Sequence, residues 1–482
     1  MGSRRSFVFF LLLALLASAC SSAADQVAEE VVAPTSTTTT TTSTTTTLPR
    51  SEFAGTTIRV AIPPDLPGMQ DIVALTQEFF TGPTGIEVDI IVAPEQELRE
   101  RIDNPGTGTR LDVSVLENFW VSQFAEPYVG GASRVVDLTP FAEADAAYDL
   151  DDIIASVRSS VSVNDRLFGV PFYAESSIVM FNQDIIDAAG ITVPEQLTWK
   201  KVADIAAQVH SDDVAGVCLR GVPGWHDLGA TLTTVANTFG GTWWEANDDG
   251  TPGVAQINQP DSGFRSATEF YIDLVRNYGI EDPADAGFDE CLDEFQNGNV
   301  ALWYDSTRAA PILEADGSPI AGNVGYALAP TNVTAASGWL RSQSFVIRDV
   351  LSPLDQEQIE ASWEFIRWAT SPEFARIAAE NLPGGLADVG QNTRVSTHAN
   401  PEFIDANRPF AGTVLEAITT SPIDNPGTTP RPGFGGVQFV GVPEFLDIAS
   451  RCTGHLSDAI AGEIPVDEAL DECQAIASEI SQ

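Results

Sequence analysis

Three charged side chains and one tryptophan stand where a binding site could use them. Glu175 comes shortly after a strand-like Pro-Phe-Tyr run, Asp305 ends an apolar run, and Arg220 and Trp225 flank a turn that contains Gly and Pro. Carboxylates accept hydrogen bonds, a guanidinium group donates several, and an indole ring covers weakly apolar surface. This combination predicts the binding of a ligand that is rich in hydrogen-bonding groups.

Each of these side chains also has a structural alternative. Glu175 could be held by backbone N–H groups, and Arg220 could pair with an acidic neighbour. Trp225 could pack beneath its own loop, and Asp305 could cap the N-terminus of a helix. The sequence leaves both interpretations open for each residue.

Motifs for catalysis have little support in this sequence. It contains only four His, and it shows no dinucleotide-binding glycine motif after a strand, no Walker motif and no nucleophile elbow. It also lacks a CxxC pair or a group of His near the Cys residues, which a zinc site would require. We therefore expect no cofactor and no metal.

The candidate residues must be positioned by alternating strands and helices. Predicted strands cover residues 57–62, 86–92, 111–116 and 177–181, and predicted helices cover residues 71–80, 95–102, 198–210, 264–278 and 361–369. Strand, helix and strand in this order predict an α/β fold with mostly parallel sheets. Because such sheets bind ligands beyond the carboxyl ends of their strands, the residues that follow each strand are the candidates.

The charge of the chain excludes some partners. Its 482 residues include 68 Asp and Glu but only 24 Lys and Arg, which gives a formal net charge of −44. Such an acidic surface repels phosphate backbones and anionic lipid headgroups. Nucleic acid is therefore not an expected partner.

The first 52 residues predict export and attachment to a membrane. Arg4 and Arg5 precede an apolar segment, residues 7–16, which is too short to span a bilayer. Small residues then lead to Cys20, the pattern of a bacterial lipobox, so we expect residues 1–19 to be a signal peptide and Cys20 to be lipidated. The polar, Thr-rich residues 20–52 predict a disordered tether. The alternative is an ordinary signal peptide with an incidental Cys.

Four further Cys predict two disulfides, because an exported protein folds in an oxidising compartment. Four Cys allow three pairings. Cys452 and Cys473 both lie in the C-terminal segment, so we pair them with each other, which leaves Cys218 with Cys291.

Several segments, taken in order, carry a resemblance to a known family. They are residues 169–177 (GVPFYAESS), 217–225 (VCLRGVPGW), 236–241 (ANTFGG), 301–307 (ALWYDST), 436–440 (GVQFV) and 442–445 (VPEF). They resemble the extracellular solute-binding proteins of ABC importers, in the maltose-binding-like family, and within it the sorbitol- and mannitol-binding branch. The resemblance covers roughly residues 55–480.

The resemblance implies a periplasmic-binding-protein-like fold, with two α/β lobes that close on a ligand in the cleft about a hinge. We place the first lobe at residues 53–168 and 300–392, and the second at residues 169–299 and 393–482. The implied function is to capture a polyol, a sugar or a close derivative and to deliver it to a membrane permease. The protein would be a monomer, lipid-anchored at the outer face of the cell membrane.

The resemblance also extends the candidate site. Further candidate ligand contacts are Glu95, Glu117, Trp120, Trp244, Trp339, Arg341 and Phe434. Trp120 stands where polyol binders tend to carry an acidic residue, for which Glu117 could compensate, and Phe434 is similar to an aromatic that closes over the ligand. Arg341 and Gln343 replace aromatic rings of the related proteins, which favours a sugar acid or an oligosaccharide over a simple polyol.

Two other functions compete with transport. A secreted carbohydrate-active enzyme would use paired carboxylates, although so many acidic residues make chance pairs common. A ligand-sensing lipoprotein would bind the same solute without a permease.

Overall fold

Two five-stranded sheets organise the part of the chain that the computed structural model describes. The described residues are 51–64, 68–103, 110–125, 133–247, 252–333, 338–348, 356–382, 393–421 and 444–481. The strands, in chain order, are β1 Thr57–Ile62, β2 Glu87–Val92, β3 Val113–Glu117, β4 Ser162–Val163, β5 Arg166–Leu167, β6 Val170–Glu175, β7 Ser177–Asn182, β8 Gln196–Thr198, β9 Ala215–Cys218, β10 Trp244–Ala246, β11 Pro252–Ala255, β12 Val300–Ser306, β13 Val324–Thr331 and β14 Arg341–Ile347.

Both large sheets are mixed. The first has the order β2-β1-β3-β14-β6 and the second β8-β13-β7-β12-β9. β1 pairs in parallel with β2 and β3, whereas β14 runs antiparallel to β3 and β6. In the second sheet β7 runs antiparallel to both β12 and β13. The expectation of mostly parallel sheets was therefore wrong. Some strands enter a sheet directly from the other sheet and not through a helical crossover.

Strand pairing divides the chain differently from the predicted lobe boundaries. β6 belongs to the first sheet, although residues 169–299 were expected in the second lobe. β12 and β13 belong to the second sheet, although residues 300–392 were expected in the first lobe. Hydrogen bonding between strands decides sheet membership, and the order of strands along the chain does not reveal it.

Helices cover the sheets and follow most strands. They are α1 Met69–Thr76, α2 Gly82–Thr84, α3 Glu95–Asp103, α4 Asn118–Ala125, α5 Thr139–Ala144, α6 Ala155–Ser159, α7 Gln183–Ala188, α8 Trp199–Val209, α9 Leu228–Thr238, α10 Gly263–Tyr278, α11 Phe288–Gln296, α12 Ala309–Leu313, α13 Gln356–Ala369, α14 Pro372–Asn381, α15 Val395–His398, α16 Pro401–Ala406, α17 Ala411–Thr420, α18 Phe445–Ala461 and α19 Val466–Ala477. A π-helical turn, Gln77–Thr81, joins α1 to α2, and 3₁₀ turns lie at Leu150–Asp152 and Ser478–Ser481.

The apolar spacing of the sequence explains these helices. In α8 the side chains of Trp199, Val202 and Ile205 are buried at intervals of three residues, so one face of the helix packs on the core. Thr198 begins the helix, because its side chain accepts a hydrogen bond from the backbone N–H of Lys201. The predicted helix over residues 198–210 is confirmed to within one residue at each end.

The chain passes from the first sheet to the second at a single residue. Ser176 separates β6 from β7. Its backbone N–H donates to Thr307 Oγ1 at 3.2 Å, and the backbone N–H of Thr307 donates to the Ser176 carbonyl at 2.8 Å. The hydroxyl of Ser176 shares a hydrogen bond with that of Ser421, which in turn donates to the carbonyl of Trp339. Segments distant in sequence are thus joined where the sheets meet.

Both predicted disulfides are confirmed. Cys218 at the end of β9 bonds to Cys291 in α11, and Cys452 in α18 bonds to Cys473 in α19. All four residues are buried. The first bridge closes a separation of 73 residues, and it fixes the end of β9 from which the loop containing Arg220 departs.

The predictions for the N-terminal segment concern residues outside those described. Residues 1–19 and Cys20, together with almost all of the predicted tether, belong to that part of the chain. Among the residues that are described, no helix is both long enough and apolar enough to span a membrane.

Candidate functional site

Arg341 lies among three carboxylates because β14 runs between β3 and β6. Glu175 is its partner in the register of β6, and Glu117 ends β3. The guanidinium nitrogens lie 3.2 Å from Glu117 Oε2, 3.5 Å from Glu175 Oε1 and 3.7 Å from Glu95 Oε2. Glu95 begins α3, the helix that follows β2. We call these four residues the Arg341 cluster.

Glu117 is almost completely buried, with 2% of its surface exposed. Burial raises the pKa of its carboxyl group to about 7; Arg341 opposes this rise, and the charges of Glu95 and Glu175 add to it. Among the described residues its Oε1 atom has no hydrogen-bond partner. Near neutral pH this group can therefore accept a hydrogen bond as a carboxylate or donate one as an acid.

Polar neighbours fix the other two carboxylates. The hydroxyl of Tyr173 donates to Glu175 Oε2 at 2.5 Å, and burial together with this carboxylate raises the pKa of Tyr173 well above its usual value. Tyr173 therefore stays a neutral donor. Gln343 Nε2 donates to Glu95 Oε2 at 3.4 Å. These contacts hold the Arg341 cluster in place.

A second group of charged residues belongs to the second sheet and the loop after it. We call its members, Arg220, Asp227 and Asp305, the Arg220 cluster. Arg220 follows β9 and donates two hydrogen bonds to Asp305 in β12, from Nε at 2.8 Å and from Nη2 at 2.6 Å. Its Nη1 atom donates to the carbonyl of His226 at 3.0 Å and to Asp227 Oδ1 at 3.2 Å. Asp305 has no exposed surface. The guanidinium group is thus held by carboxylates on two sides.

Three tryptophans lie near these clusters and line the same cavity. Trp120 lies on α4, Trp225 in the turn before α9, and Trp339 just before β14. Arg99 lies over the ring of Trp120, with its guanidinium carbon 4.4 Å from the ring centroid, so one face of that ring is already covered. The indole N–H of Trp339 has no hydrogen-bond partner among the described residues.

Residues of both clusters and the three tryptophans line one cavity of about 720 Å³. That volume falls within the range of pockets for small organic ligands, about 300–1,000 Å³. The predicted residues that line it are Glu95, Glu117, Trp120, Glu175, Arg220, Trp225, Trp339 and Arg341. The structure thus brings together eight residues that the sequence analysis selected from distant parts of the chain.

Two candidates do not line the cavity. Trp244 is 1% exposed, and its indole N–H donates to the carbonyl of Ala477 at 2.8 Å, so it belongs to the core. Its neighbour Trp243 is also buried and donates to Thr233, although alternation in an extended segment would have turned one ring outward. Asp305 does not line the cavity but holds Arg220, which thus has the acidic partner of its own structural alternative. Phe434 lies outside the described residues.

Sequence reasoning missed several residues of the cavity. Arg99 lies four residues after Glu95 on α3, and this helical spacing could have revealed it. Phe288 and Arg308 gave no comparable signal. The Phe288 ring lies 5.7 Å from the guanidinium carbon of Arg220 and 5.2 Å from that of Arg308.

The site combines fixed donors and acceptors with apolar ring surface. Charge-assisted hydrogen bonds from carboxylates and guanidinium groups are about twice as strong as neutral ones. Across the described residues, no group of three or more His, Cys, Asp or Glu is arranged to hold a metal ion. The arrangement suits recognition of a ligand with hydroxyl groups and C–H faces.

Comparison with known proteins agrees with this geometry. Residues 64–376 match the family described as bacterial extracellular solute-binding protein. The chain is 31% identical, over 409 residues, to the mannitol-binding protein of Pseudomonas aeruginosa, covering 83% of this chain and 87% of that protein.

Solved structures show the same fold. One is an ABC-transporter solute-binding protein from Agrobacterium vitis S4 with bound D-mannitol, which has a TM-score of 0.73 and 31% identity and covers 88% of this chain and 97% of that one. Another, from Agrobacterium radiobacter K84 in complex with ribitol, has a TM-score of 0.70 and 21% identity, covering 89% and 99%. With two α/β lobes, this cavity and the match over residues 64–376, the chain belongs to the bacterial extracellular solute-binding proteins.

Proposed function

We propose that this protein captures a polyol, or a closely related sugar, outside the cytoplasm and delivers it to the permease of an ABC importer. The observation that carries this proposal is the placement of the Arg341 cluster and the Arg220 cluster on one cavity. The names of the two relatives at 31% identity, one a mannitol-binding protein and one containing D-mannitol, support the ligand class.

The two sheets would hold the ligand from different sides. Glu117, Glu175 and Arg341 lie on strands of the first sheet, whereas Arg220 follows a strand of the second. A ligand that bonds to both clusters would link the lobes across the cavity. The closed form would then present the surface that a permease recognises.

A vicinal polyol suits this cavity because each carbon carries one hydroxyl. Each hydroxyl can donate to a carboxylate and accept from a guanidinium group. The C–H faces between the hydroxyls can lie against the rings of Trp225 and Trp339. Glu117 Oε1, an acceptor, and Trp339 Nε1, a donor, have no hydrogen-bond partner among the described residues, which supports this proposal.

Calorimetric titration tests the ligand class. We expect D-mannitol or a related polyol to bind, and Glu175→Gln to weaken that binding about tenfold, because one charge-assisted hydrogen bond becomes a neutral one. Glu87→Gln, an exposed position on β2, is the matched control and should bind as the wild type does. Absence of binding by polyols, hexoses and disaccharides would contradict the proposal, as would unchanged affinity in the folded Glu175→Gln variant.

We also propose that Cys20 anchors the protein to the membrane through lipid. The support is the lipobox at residues 17–20 together with the polar, Thr-rich segment that follows it. Globomycin, which blocks lipoprotein signal peptidase, should cause the precursor to accumulate, and Cys20→Ala should release the protein from the membrane fraction. If Cys20→Ala is processed and fractionates like the wild type, the protein is not a lipoprotein.

A further inference from the structure

The charges around the cavity do not favour a negatively charged ligand. Seven carboxylates among the described residues line the cavity or contact its arginines: Glu95, Glu117, Glu175, Asp227, Asp289, Asp305 and Asp447. Four guanidinium groups do so, those of Arg99, Arg220, Arg308 and Arg341. The carboxylates therefore outnumber the cations, in a chain whose net charge is already −44.

Two of the four guanidinium groups, those of Arg220 and Arg341, are already paired with carboxylates, whereas those of Arg99 and Arg308 lie over aromatic rings. Arg341 lies within 4 Å of three carboxylates and Arg220 of two. A sugar acid would add another carboxylate to one of these clusters, and like charges brought together in an enclosed site are strongly unfavourable. The carboxylates around Arg341 therefore disfavour an anion beside it, although its place in the sequence favours a sugar acid.

The same cluster is suited to a cation. Glu117 and Glu95 line the cavity, and the Oε1 atom of each is buried and has no hydrogen-bond partner among the described residues. A protonated amine provides three donors and no acceptor, so it can bond to acceptor atoms such as these. It also brings a second positive charge to a cluster in which one arginine faces three carboxylates.

We propose that this cavity selects its ligands by charge, so that it accepts a polyol or the same polyol with a terminal amine and rejects the corresponding sugar acid. This inference rests on the proposed function and defines its ligand class more closely. The residues that set the selection are Glu95, Glu117 and Glu175, which surround Arg341 at one end of the cavity.

Three ligands that differ in one terminal group provide the test. D-Mannitol, 1-amino-1-deoxy-D-mannitol and D-mannonate share a six-carbon chain that ends in a hydroxyl, an ammonium and a carboxylate group. Titrations of the full chain at pH 8, above the pKa of Glu117, should show mannonate binding at least about tenfold more weakly than mannitol. The amine should bind at least as tightly as mannitol.

Variants show whether the carboxylates are responsible. Glu117→Gln should reduce the ratio of the mannonate and mannitol dissociation constants, the affinity gap, by at least about threefold. The reason is that it removes one negative charge beside Arg341. Glu95→Gln, whose side chain is partly exposed, should act in the same direction and serves if Glu117→Gln does not fold. Glu87→Gln, on the exposed edge of β2, should leave the gap unchanged.

The outcomes distinguish failure of the selection by charge from failure of the proposed function. If mannitol binds and mannonate binds equally well, or the amine binds tenfold more weakly than mannitol, selection by charge is wrong and the proposed function stands. A gap that stays unchanged in both Glu variants also overturns the selection mechanism. If none of the three ligands binds, the proposed function fails, and this inference fails with it.

Discussion

Replacement of Arg220 by methionine should lower the free energy of unfolding by about 3–5 kcal/mol, because it leaves a buried carboxylate without its cation. Asp305 has no exposed surface, and both of its oxygens accept hydrogen bonds from Arg220, at 2.6 and 2.8 Å. Methionine retains much of the apolar volume of the arginine stem, so the loss reports on charge more than on packing. Chemical unfolding followed by circular dichroism measures the effect.

The matched control is a similar pair on the surface. Arg451 donates two hydrogen bonds to Glu479, at 2.6 and 2.7 Å, and both side chains are exposed. Since water screens such a pair, Arg451→Met should leave the unfolding midpoint almost unchanged. Adding Asp305→Asn to Arg220→Met should restore much of the lost stability, because the stranded charge is removed. Equal losses in Arg220→Met and Arg451→Met would show that burial does not govern the Arg220 cluster.

Glu117→Gln should stabilise the protein at pH 8 by up to about 3 kcal/mol and have little effect at pH 4, because it removes a titration that opposes folding. The pKa of Glu117 rises from 4.5 to about 7 in the folded chain, mainly through burial. The folded state thus binds its proton more tightly than the unfolded state does. The contribution of Glu117 to stability is complete below pH 4.5 and is lost as the pH rises through 7.

Comparison between variants isolates this effect from the other charges. Unfolding of the wild type and Glu117→Gln is measured at intervals from pH 4 to pH 8, and the difference should grow between pH 4.5 and pH 7 and then level off. Glu87→Gln, on the exposed edge of β2, should follow the wild type throughout. A constant difference across this range would mean that Glu117 ionises at its ordinary pKa.

The sequence predicted much of the candidate site because a general rule connects strand ends with ligand sites. Glu117 and Glu175 end strands of the first sheet, and Arg220 follows one of the second, so the rule for open sheets applies to each. The resemblance added Trp339 and Arg341, which precede or begin β14. These positions at or next to the ends of strands can be located from the sequence around each strand.

The parts that the sequence did not predict depend on contacts between distant residues. That Arg341 is held by three carboxylates follows from the register of β14 against β3 and β6, and no local pattern encodes this pairing. The burial of Trp244 depends on α19, whose last residue, Ala477, accepts its indole hydrogen bond. The assignment of β12 to the second sheet likewise depends on its pairing with β7 and β9.

The connection between β6 and β7 consists of Ser176 alone, so the number of residues in this connection matters for the fold. All six residues of β7 are buried, so both faces of that strand are packed. Because side chains alternate between the faces of a strand, one inserted or deleted residue at position 176 would move every β7 side chain to the opposite face. Ser177, which shares a hydrogen bond with the hydroxyl of Tyr304 at 3.0 Å, would then point away from it. An insertion or deletion at this connection would therefore disrupt the packing of the whole of β7.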